Sequence, residues 1–395
     1  MAIRLKLAEW MTVASRHATI VAALTFLLGA LAGCENPAKP GGAAAGGTSG
    51  PGGTASGKVR RVIMMTNGAD PFWDAMRAGM AKAEKDFDLE AAGLKAVMDV
   101  GDGTSTAQID KLKNYANQTD VAAVAISSTD AKSPALADAM RNLQKQGIFV
   151  ITIDSDMDRG TARDARFAYL GTDNIVGGRQ MGLAAKGLRP EGGKYAAFVG
   201  LKSAANAKER HDGFAEGAGE KFQELEYLGD EMDLAVAQKN VRDAIGRNKD
   251  LDTFVGIWAY NANAIVQALE KAPDVRKRSL VVVFDASPLA LKHMADGKVD
   301  AMIVQNPYDM GYQGVQLMKA LVGNDGATVK KLFPGYDPQT KKFAKPDDDI
   351  HITQLRVVVP DKNESLKQDM FDKGTVFFKL GDFQNWLNER GLTGS

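Results

Sequence analysis

Three polar side chains each follow a short apolar segment of the chain. They are Asp154, Asp285 and Gln305, and the segments before them have the length and composition of strands buried on both faces. Because the carboxyl ends of parallel strands open into the ligand crevice of an α/β sheet, we expect these side chains to meet in one site. Carboxylates and amides form hydrogen bonds with hydroxyl groups. With only four histidines and one cysteine in the chain, the pattern favours binding of a hydroxylated molecule over catalysis.

Two adjacent aromatic residues, Phe72 and Trp73, follow Asp70 and Pro71. Aspartate before proline is a common helix start, and this explains the first two residues without any functional role. It does not explain the aromatic pair, whose side chains point about 100° apart on a helix. One ring can therefore lie in the core while the other faces a crevice, where an aromatic face suits the apolar C–H groups of a sugar ring.

Further polar candidates follow two other predicted strands. Arg210 lies on a predicted helix, and its guanidinium can hold two acceptors at once, although a solvated helix arginine has the same pattern. Tyr260 and Asn261 come just after another apolar segment. Asn261 or Asn263 can equally well cap the helix that follows.

The segment 154–158 carries an aspartate at every second position, as calcium-binding loops do. Such a loop needs glycine at its sixth position and glutamate at its twelfth, where this chain has Arg159 and Ala165. We therefore predict no calcium site here and expect Asp156 and Asp158 to be solvated.

The composition excludes several other classes of protein. Lysine plus arginine and aspartate plus glutamate both number 49, so the formal net charge is zero, whereas a nucleic-acid-binding protein needs a clustered basic surface. The histidines lack metal-ligand spacing, and the sequence has neither a phosphate-binding glycine motif nor a nucleophile–base pair. We predict no metal, no cofactor, no catalytic residue and no nucleic-acid partner.

The N-terminal region has the pattern of a bacterial lipoprotein. Residues 1–33 contain basic residues followed by the apolar stretch 18–30, which is shorter than the roughly 20 residues of a membrane span and typical of a signal peptide. The segment 31–34 resembles a lipobox, which implies cleavage before Cys34 and its lipidation. A signal peptide without lipidation is the alternative. Residues 34–57 are rich in Gly, Pro and Ser and predict a flexible tether.

From residue 59 onward, apolar segments alternate with amphipathic segments of helical length, which predicts an α/β fold with mostly parallel sheets. We favour two lobes, because a site between lobes can enclose a small molecule. A closing helix is predicted around Phe377, Leu380, Phe383, Trp386 and Leu387. The predicted strands are 62–65, 121–126, 149–153, 195–199, 254–258, 280–284, 301–304 and, as the last one, 355–359.

With these residues in view, the chain resembles the type I periplasmic binding proteins, specifically the ribose-binding-protein-like sugar receptors of ABC transporters. The resemblance implies two doubly wound parallel-sheet lobes joined by three hinge strands, with a ligand cleft between them. We place the N-terminal lobe at 59–171 plus 305–334 and the C-terminal lobe at 172–304 plus 335–395. The resemblance rests on segments that occur in the family's order, namely 67–73, 150–154, 171–174, 204–214, 283–285 and 304–307.

The resemblance also implies roles for individual residues. Ribose-binding members have an arginine directly after the first aspartate, whereas this chain has Ser155, which counts against ribose itself. The second-lobe aromatic of the family has no clear match, and Met232 or a neighbour stands in its region. An asparagine ligand of the family falls on Tyr260 or Asn261, and both registers stay open. The remaining matches are Asp70 as a hydroxyl ligand, Phe72 and Trp73 as ring-stacking aromatics, Asn206 as a contact in galactose-binding relatives, and Asp154, Arg210, Asp285 and Gln305 as polar sugar ligands.

The function that the resemblance implies is capture of a monosaccharide and its delivery to the permease of an ABC importer. The protein would be a monomer that is lipid-anchored in the bacterial cell envelope, facing the periplasm or the exterior. A sugar or autoinducer receptor for sensing or chemotaxis would use the same body with a different partner. A repressor of the same fold would need an N-terminal helix-turn-helix, and the signal segment and tether stand there instead.

Overall fold

The computed structural model describes residues 59–395. The predicted signal peptide, Cys34 of the lipobox and the tether lie outside the described residues, so those predictions stay untested. Among the residues described, every helix falls short of the length or the hydropathy that a membrane span requires. The strands and helices below are numbered along the chain.

The first sheet is parallel throughout and has six strands. Its central strand has the sequence Val-Ala-Ala-Val-Ala-Ile and is buried at every position, as expected for a strand covered by helices on both faces. Across the sheet the strands are β13 (Ile350–Ile352), β5 (Tyr169–Gly171), β4 (Phe149–Ile153), β3 (Val121–Ile126), β1 (Arg60–Met65) and β2 (Leu94–Asp99).

The second sheet has seven strands and contains one antiparallel pair, formed by β10 and β14. Its other neighbours are parallel. Across the sheet the strands are β15 (Val376–Lys379), β14 (Arg356–Val359), β10 (Ala301–Val304), β9 (Leu280–Phe284), β8 (Thr253–Gly256), β6 (Gly193–Val199) and β7 (Phe222–Gly229). A small antiparallel hairpin consists of β11 (Tyr336–Asp337) and β12 (Lys342–Phe343).

The helices connect the strands and cover both faces of the sheets. Most begin at residues with the expected capping chemistry; for example, the side chains of Ser133 and Asp233 accept hydrogen bonds from backbone N–H groups of the first turn. The helices are α1 (Phe72–Asp86), α2 (Ser105–Ala116), α3 (Pro134–Lys145), α4 (Asn174–Leu188), α5 (Ala205–Ala218), α6 (Leu234–Arg247), α7 (Asn261–Glu270), α8 (Pro273–Arg278), α9 (Pro288–Ala295), α10 (Pro307–Val322), α11 (Gly326–Leu332) and α12 (Leu380–Asn388).

Helices α4 and α5 approach each other closely because glycines line their contact. A Cβ atom at Gly178 would lie 2.1 Å from the carbonyl oxygen of Arg210, and one at Gly213 would lie 2.2 Å from the carbonyl oxygen of Ile175. Such distances are too short for any real side chain, so the two backbones can approach this closely only with glycine present. This contact fixes the position of α5, which carries Arg210.

The chain crosses between the two lobes three times, and the crossings are hydrogen-bonded to one another. The Thr172 hydroxyl donates to Oε1 of Gln305 (2.8 Å), and the backbone N–H of Thr353 donates to the carbonyl of Gly171 (2.7 Å). The guanidinium of Arg356 donates to the carbonyl of Gln305 (3.1 Å). These bonds tie together the three segments that join the lobes.

The lobe boundary differs from the predicted one at residue 334. The segment 335–353 belongs with the first lobe, because β13 pairs with β5 and Tyr336 lies in the same hydrophobic core as Phe333. The second lobe resumes only with β14. No apolar pattern marks β13 in the sequence, since this three-residue edge strand has a histidine at its centre and follows three aspartates.

The predicted strands occur in the structure, and 149–153, 280–284 and 301–304 have the predicted bounds. The prediction missed β2, β5, β7, β13 and β15, which are short or have exposed, polar positions. The strand at 355–359 is therefore not the last one. The closing helix is present as α12, but Phe377 lies in β15 rather than in that helix.

Candidate ligand-binding site

A cavity of about 360 Å³ lies between the two lobes. All of the predicted ligand-binding residues except Asn261 line this cavity. The lining residues are Asn67, Asp70, Phe72, Trp73 and Asp154 from the first lobe, Asn206, Arg210, Met232, Trp258, Ala259, Tyr260 and Asp285 from the second, and Gln305 at a crossing.

The strand ends bring the three polar side chains together as predicted. Asp154 follows β4, Asp285 follows β9 and Gln305 follows β10. Both aspartates have a left-handed backbone, with φ of 62° and 65°. Aspartate tolerates this conformation better than most residues, and such backbone strain occurs preferentially at functional sites. The two lobes thus present an aspartate in the same way.

Arg210 is only 1% exposed and is held on several sides. Its Nε donates to Oδ1 of Asn174 (2.9 Å) and its Nη1 to the carbonyl of Ile257 (3.3 Å). The guanidinium lies over the ring of Phe284, with its Cζ 3.8 Å from the ring centroid. These contacts fix the orientation of its donors.

The carboxylates beside Arg210 are close enough for attraction but too far for hydrogen bonds. Nη2 lies 3.8 Å from Oδ1 of Asp154, and Nη1 lies 3.9 Å from Oδ2 of Asp285. Among the described residues, Nη2 of Arg210 and Oδ1 of Asp285 are buried without any hydrogen-bond partner. Because buried polar atoms are normally paired, this donor and acceptor mark where a bound molecule would accept and donate hydrogen bonds.

Asn206 connects the two lobes inside the site. Its Nδ2 donates to Oδ2 of Asp154 across the cleft (3.2 Å), and its Oδ1 accepts from the indole of Trp258 (3.3 Å). The hydroxyl of Ser127 also donates to Oδ2 of Asp154 (2.8 Å). Asp154 therefore has one oxygen fully bonded and keeps the other, Oδ1, facing Arg210.

The start of α1 forms one wall of the cavity. Oδ1 of Asp70 accepts from the backbone N–H of Phe72 (2.8 Å), so this residue caps the helix as its sequence context indicates and also lines the cavity. The rings of Phe72 and Trp73 meet edge to face, 4.9 Å apart. Trp73 is buried in the first-lobe core while Phe72 is partly exposed, yet both rings line the cavity.

Tyr260 and Asn261, the two alternatives for one ligand contact, differ in their position relative to the cavity. Tyr260 lines the cavity, whereas Asn261 turns away from it: its Nδ2 donates to Oδ2 of Asp230 (3.0 Å) and its Oδ1 accepts from the backbone N–H of Trp258 (3.0 Å). The hydroxyl of Tyr260 donates to Oδ1 of Asp230. Asn261 therefore lies outside the cavity lining, and its amide holds the adjoining turns.

Burial raises the pKa of the site carboxyls. It raises the pKa of Asp285 to about 7, against the opposing effects of the Arg210 charge and a hydrogen bond from Gln305. Burial also raises the pKa of Asp154, with Arg210 again opposing, and it raises the pKa of Asp70. Repulsion from the carboxylates of Asp154 and Asp70 raises the pKa of Asp285 further. The positive charge in the cavity therefore does not balance its carboxyl groups.

Sequence reasoning missed Asn67, Trp258 and Ala259 as lining residues. Trp258 was placed inside a strand, although β8 ends at Gly256 and Trp258 thus follows a strand end like the other site residues. Met232, which was named only as one possible second-lobe residue, has a left-handed backbone (φ 64°). Its side chain covers Gly68 of the first lobe so closely that a Cβ there would lie 2.1 Å from its methyl carbon.

A second cluster of charges lies near the cavity, and it corrects the prediction for Asp156. This aspartate is buried and accepts from Nε and Nη2 of Arg166 (2.7 and 2.8 Å). Nη1 of Arg166 donates to Oδ2 of Asp349 (2.8 Å). Burial acts to raise the pKa of Asp156, but Arg166 outweighs it and lowers that pKa. Asp158 is partly exposed and is hydrogen-bonded within its own loop. Residues 59–395 contain no group of His, Cys, Asp and Glu side chains that could hold a metal ion.

Two doubly wound lobes around a cavity lined by carboxyl, amide and aromatic side chains define a two-lobed ligand-binding protein. The family model described as "Periplasmic binding protein domain" matches residues 61–326, and the chain belongs to this family. The family resemblance inferred from the sequence is thereby confirmed.

Individual proteins are similar at lower identity. The ribose import binding protein RbsB of Bacillus subtilis is 25% identical over 242 residues, which cover 61% of this chain and 74% of that protein. The D-allose-binding periplasmic protein of Escherichia coli is 25% identical over 263 residues, covering 65% of this chain and 82% of that protein. Among solved structures, an ABC transporter solute binding protein of Burkholderia graminis in complex with D-arabinose has a TM-score of 0.65 at 22% identity, covering 79% of this chain and 99% of that one.

Proposed function

We propose that this protein is a solute-binding protein that captures a monosaccharide between its two lobes and delivers it to an ABC importer. The observation that carries the proposal is the buried pair of unpartnered atoms, Nη2 of Arg210 and Oδ1 of Asp285, in a cavity between the lobes. A sugar hydroxyl can accept from the first and donate to the second. The rings of Phe72 and Trp73 supply the apolar wall that suits the C–H groups of a sugar ring.

The site supports capture by closure of the lobes. Hinge closure around a ligand is the known motion of periplasmic binding proteins. Asp154 and Arg210 belong to different lobes and lie 3.8 Å apart, so a ligand that is hydrogen-bonded to both side chains contacts both lobes only in the closed form. Such differential contact is what allows a ligand to shift the equilibrium toward closure.

The charge of the cavity limits the class of ligand. Three carboxyl groups, those of Asp70, Asp154 and Asp285, face a single guanidinium. A phosphorylated or acidic sugar would add further negative charge at short range, where it is weakly screened. The site therefore suits an uncharged sugar. Micromolar binding corresponds to about −8 kcal/mol, and each site group left unpaired by a poorer ligand costs about 1–3 kcal/mol.

The similar proteins support a monosaccharide without identifying it. Two relatives are named for ribose and allose, and solved neighbours are described with D-arabinose, D-fucose and D-allose. Ser155 at the position where ribose-binding members have arginine counts against ribose. Delivery to a permease, lipid anchoring through Cys34, a place in the cell envelope and a monomeric state are parts of the same proposal that rest on the sequence resemblance alone.

The proposal is tested by a thermal-shift screen of the 59–395 body against pentoses, hexoses and polyols, followed by titration calorimetry of the hits. A ligand that binds only the folded state raises its apparent stability. We expect Arg210→Ala and Asp285→Ala each to weaken binding by about tenfold or more. Arg141→Ala and Asp138→Ala, which change surface residues outside the cavity lining, serve as matched controls and should bind as the wild type does. Unchanged affinity in both site variants, or no sugar hit at all, would refute the proposal.

A further inference from the structure

A second cavity, here called the outer cavity, lies directly beside the proposed sugar site. It has a volume of about 510 Å³ and shares Phe72 and Ala259 with the sugar site. The start of α1 forms one side of it, and Ser287 and the segment 391–395 form the other. The two cavities are thus neighbours that meet at a partly exposed aromatic ring.

The far wall of the outer cavity is fixed to the turns that carry the sugar-site residues. The backbone N–H of Ala286 donates to the carbonyl of Ser395 (2.7 Å), and the N–H of Ser395 donates back to the carbonyl of Ala286 (3.0 Å). The hydroxyl of Ser395 also donates to the carbonyl of Gln305 (3.1 Å). Because Ala286 follows Asp285 directly, this wall keeps a constant position relative to the sugar site.

The lining of the outer cavity suits a sugar ring or an aromatic group. Ala75 and Ala78 on α1 leave room beside the ring of Phe72, and Ser287 and Thr393 offer hydroxyl groups. Its one charged side chain is that of Asp74, which is paired with Arg77 and 71% exposed. No lysine, arginine or histidine of the described residues lines this cavity. An anionic substituent would therefore find no partner there, whereas an uncharged one would be accommodated.

We propose that the outer cavity is a second subsite that binds an uncharged substituent of the captured sugar, namely the second ring of a disaccharide or the aglycone of a glycoside. The inference rests on the proposed function, since the first ring must occupy the sugar site. A substituent that leaves the sugar site past Phe72 enters the outer cavity and contacts that ring from the outer side. The protein then takes up glycosides as well as free monosaccharides.

The test compares free sugars with their glycosides by titration calorimetry. The probes are D-glucose, D-galactose, D-xylose and D-allose, each beside its two benzyl glycoside anomers, together with maltose, cellobiose, lactose, melibiose and xylobiose. For the sugar that binds, we expect at least one glycoside or disaccharide to bind within about tenfold of the free sugar or more tightly. Thr393→Trp fills the outer cavity from its exposed side and should weaken that compound by about tenfold or more while the free sugar keeps its affinity.

Thr340→Trp is the matched control, because Thr340 is exposed and belongs to the hairpin of β11 and β12, outside both cavities. It should leave both affinities unchanged. If the free sugar binds but none of its glycosides or disaccharides does, or if Thr393→Trp weakens both compounds equally, the second subsite is refuted while the proposed function stands. If no free sugar binds, the proposed function fails and the subsite fails with it.

Discussion

Two buried arginines, Arg166 and Arg210, each lie between two aspartates, and the difference between them separates structure from function. Arg166 forms hydrogen bonds of 2.7–2.8 Å with Asp156 and Asp349. Arg210 lies 3.8 and 3.9 Å from its two aspartates and keeps an unpartnered donor. Both side chains are almost fully buried, so burial does not distinguish them.

The two clusters also differ in how they relate to the lobes. Arg166, Asp156 and Asp349 all belong to the first lobe, whose β13 begins next to Asp349, so this cluster is independent of closure. The Arg210 cluster joins Asp154 of the first lobe to residues of the second. Arg166 is hydrogen-bonded to both of its aspartates within one lobe and therefore stabilises that lobe. Arg210, whose aspartates lie on both sides of the cleft, keeps an unpartnered donor that can form a hydrogen bond with a ligand.

The largest expected effect is on stability, at Arg166. Arg166→Met removes the fully buried cation that Asp156 and Asp349 share and leaves only the partly exposed Arg159 and Arg163 beside them, so it should lower the free energy of unfolding by about 3–5 kcal/mol. Urea denaturation measures this loss. Arg141→Met is the control, since Arg141 also pairs with two aspartates but at the surface, where we expect a loss below about 1 kcal/mol. Equal losses in the two variants would contradict a structural role for the Arg166 cluster.

The matching change at Arg210 should affect binding more than stability. Arg210→Met should weaken sugar binding by about a hundredfold, since a charged donor to the ligand is lost, and lower the free energy of unfolding by only about 1 kcal/mol. The loss of stability is small because the nearest carboxylates are not hydrogen-bonded to it and burial already raises their pKa values. Calorimetry and urea denaturation on the same variant measure both quantities. A stability loss as large as that of Arg166→Met would remove the distinction between the clusters.

Obstructing closure of the two lobes should weaken sugar binding at the Arg210 cluster and leave the Arg166 cluster unchanged. Gly68→Ala places a methyl group against Met232 across the cleft and should weaken sugar binding by about 1–3 kcal/mol, the usual effect of overpacking. In the double variant with Met232→Ala the obstruction is gone, so we expect most of the affinity to return. Gly246→Ala is the control, since nothing lies near that position. Failure of the double variant to recover would show that contact between Gly68 and Met232 does not limit closure.

The smallest expected effect is a dependence of affinity on pH. Burial raises the pKa of Asp285 to about 7, and a hydroxyl that donates to Oδ1 favours the ionised carboxylate. Binding should therefore release a proton, and affinity should fall by about tenfold between pH 8 and pH 6. Asp285→Asn should bind more weakly and without this dependence. Calorimetry in buffers of different ionisation enthalpy measures the proton released, and uptake of a proton would contradict the assignment.

The same shift predicts how stability depends on pH. An aspartate in the unfolded chain loses its proton near pH 3.9, whereas folded Asp285 keeps it up to about pH 7. Between these values the folded state binds more protons, so this residue makes the free energy of unfolding fall as pH rises. Asp285→Asn should remove the contribution of Asp285 to this decrease in the free energy of unfolding. Urea denaturation at pH 5 and pH 8 would measure the difference.

Much of the site was predictable because strand ends have a fixed place in parallel sheets. Apolar segments marked β4, β9 and β10, and the residues that follow them meet in the cavity. The short strands β5 and β13 were not predictable, since strands of three residues carry too few apolar positions to produce a pattern. The burial of Asp156 was not predictable for a related reason. A buried, ion-paired aspartate and a solvated one have the same local sequence pattern, and only the fold shows that Arg166 lies beside Asp156.

The sequence by itself determined the alternation of strands and helices and the identity of the polar residues at the strand ends, since both follow from local apolar patterning and from the direction of parallel strands. Only the tertiary structure decided which aspartates lie beside which arginine, that Tyr260 rather than Asn261 faces the cavity, and that an outer cavity adjoins the sugar site. These features depend on the relative placement of two lobes built from distant segments. A difference of about 1 Å in nitrogen–oxygen distance separates the hydrogen-bonded aspartates of Arg166 from the aspartates beside Arg210, which are not hydrogen-bonded to it.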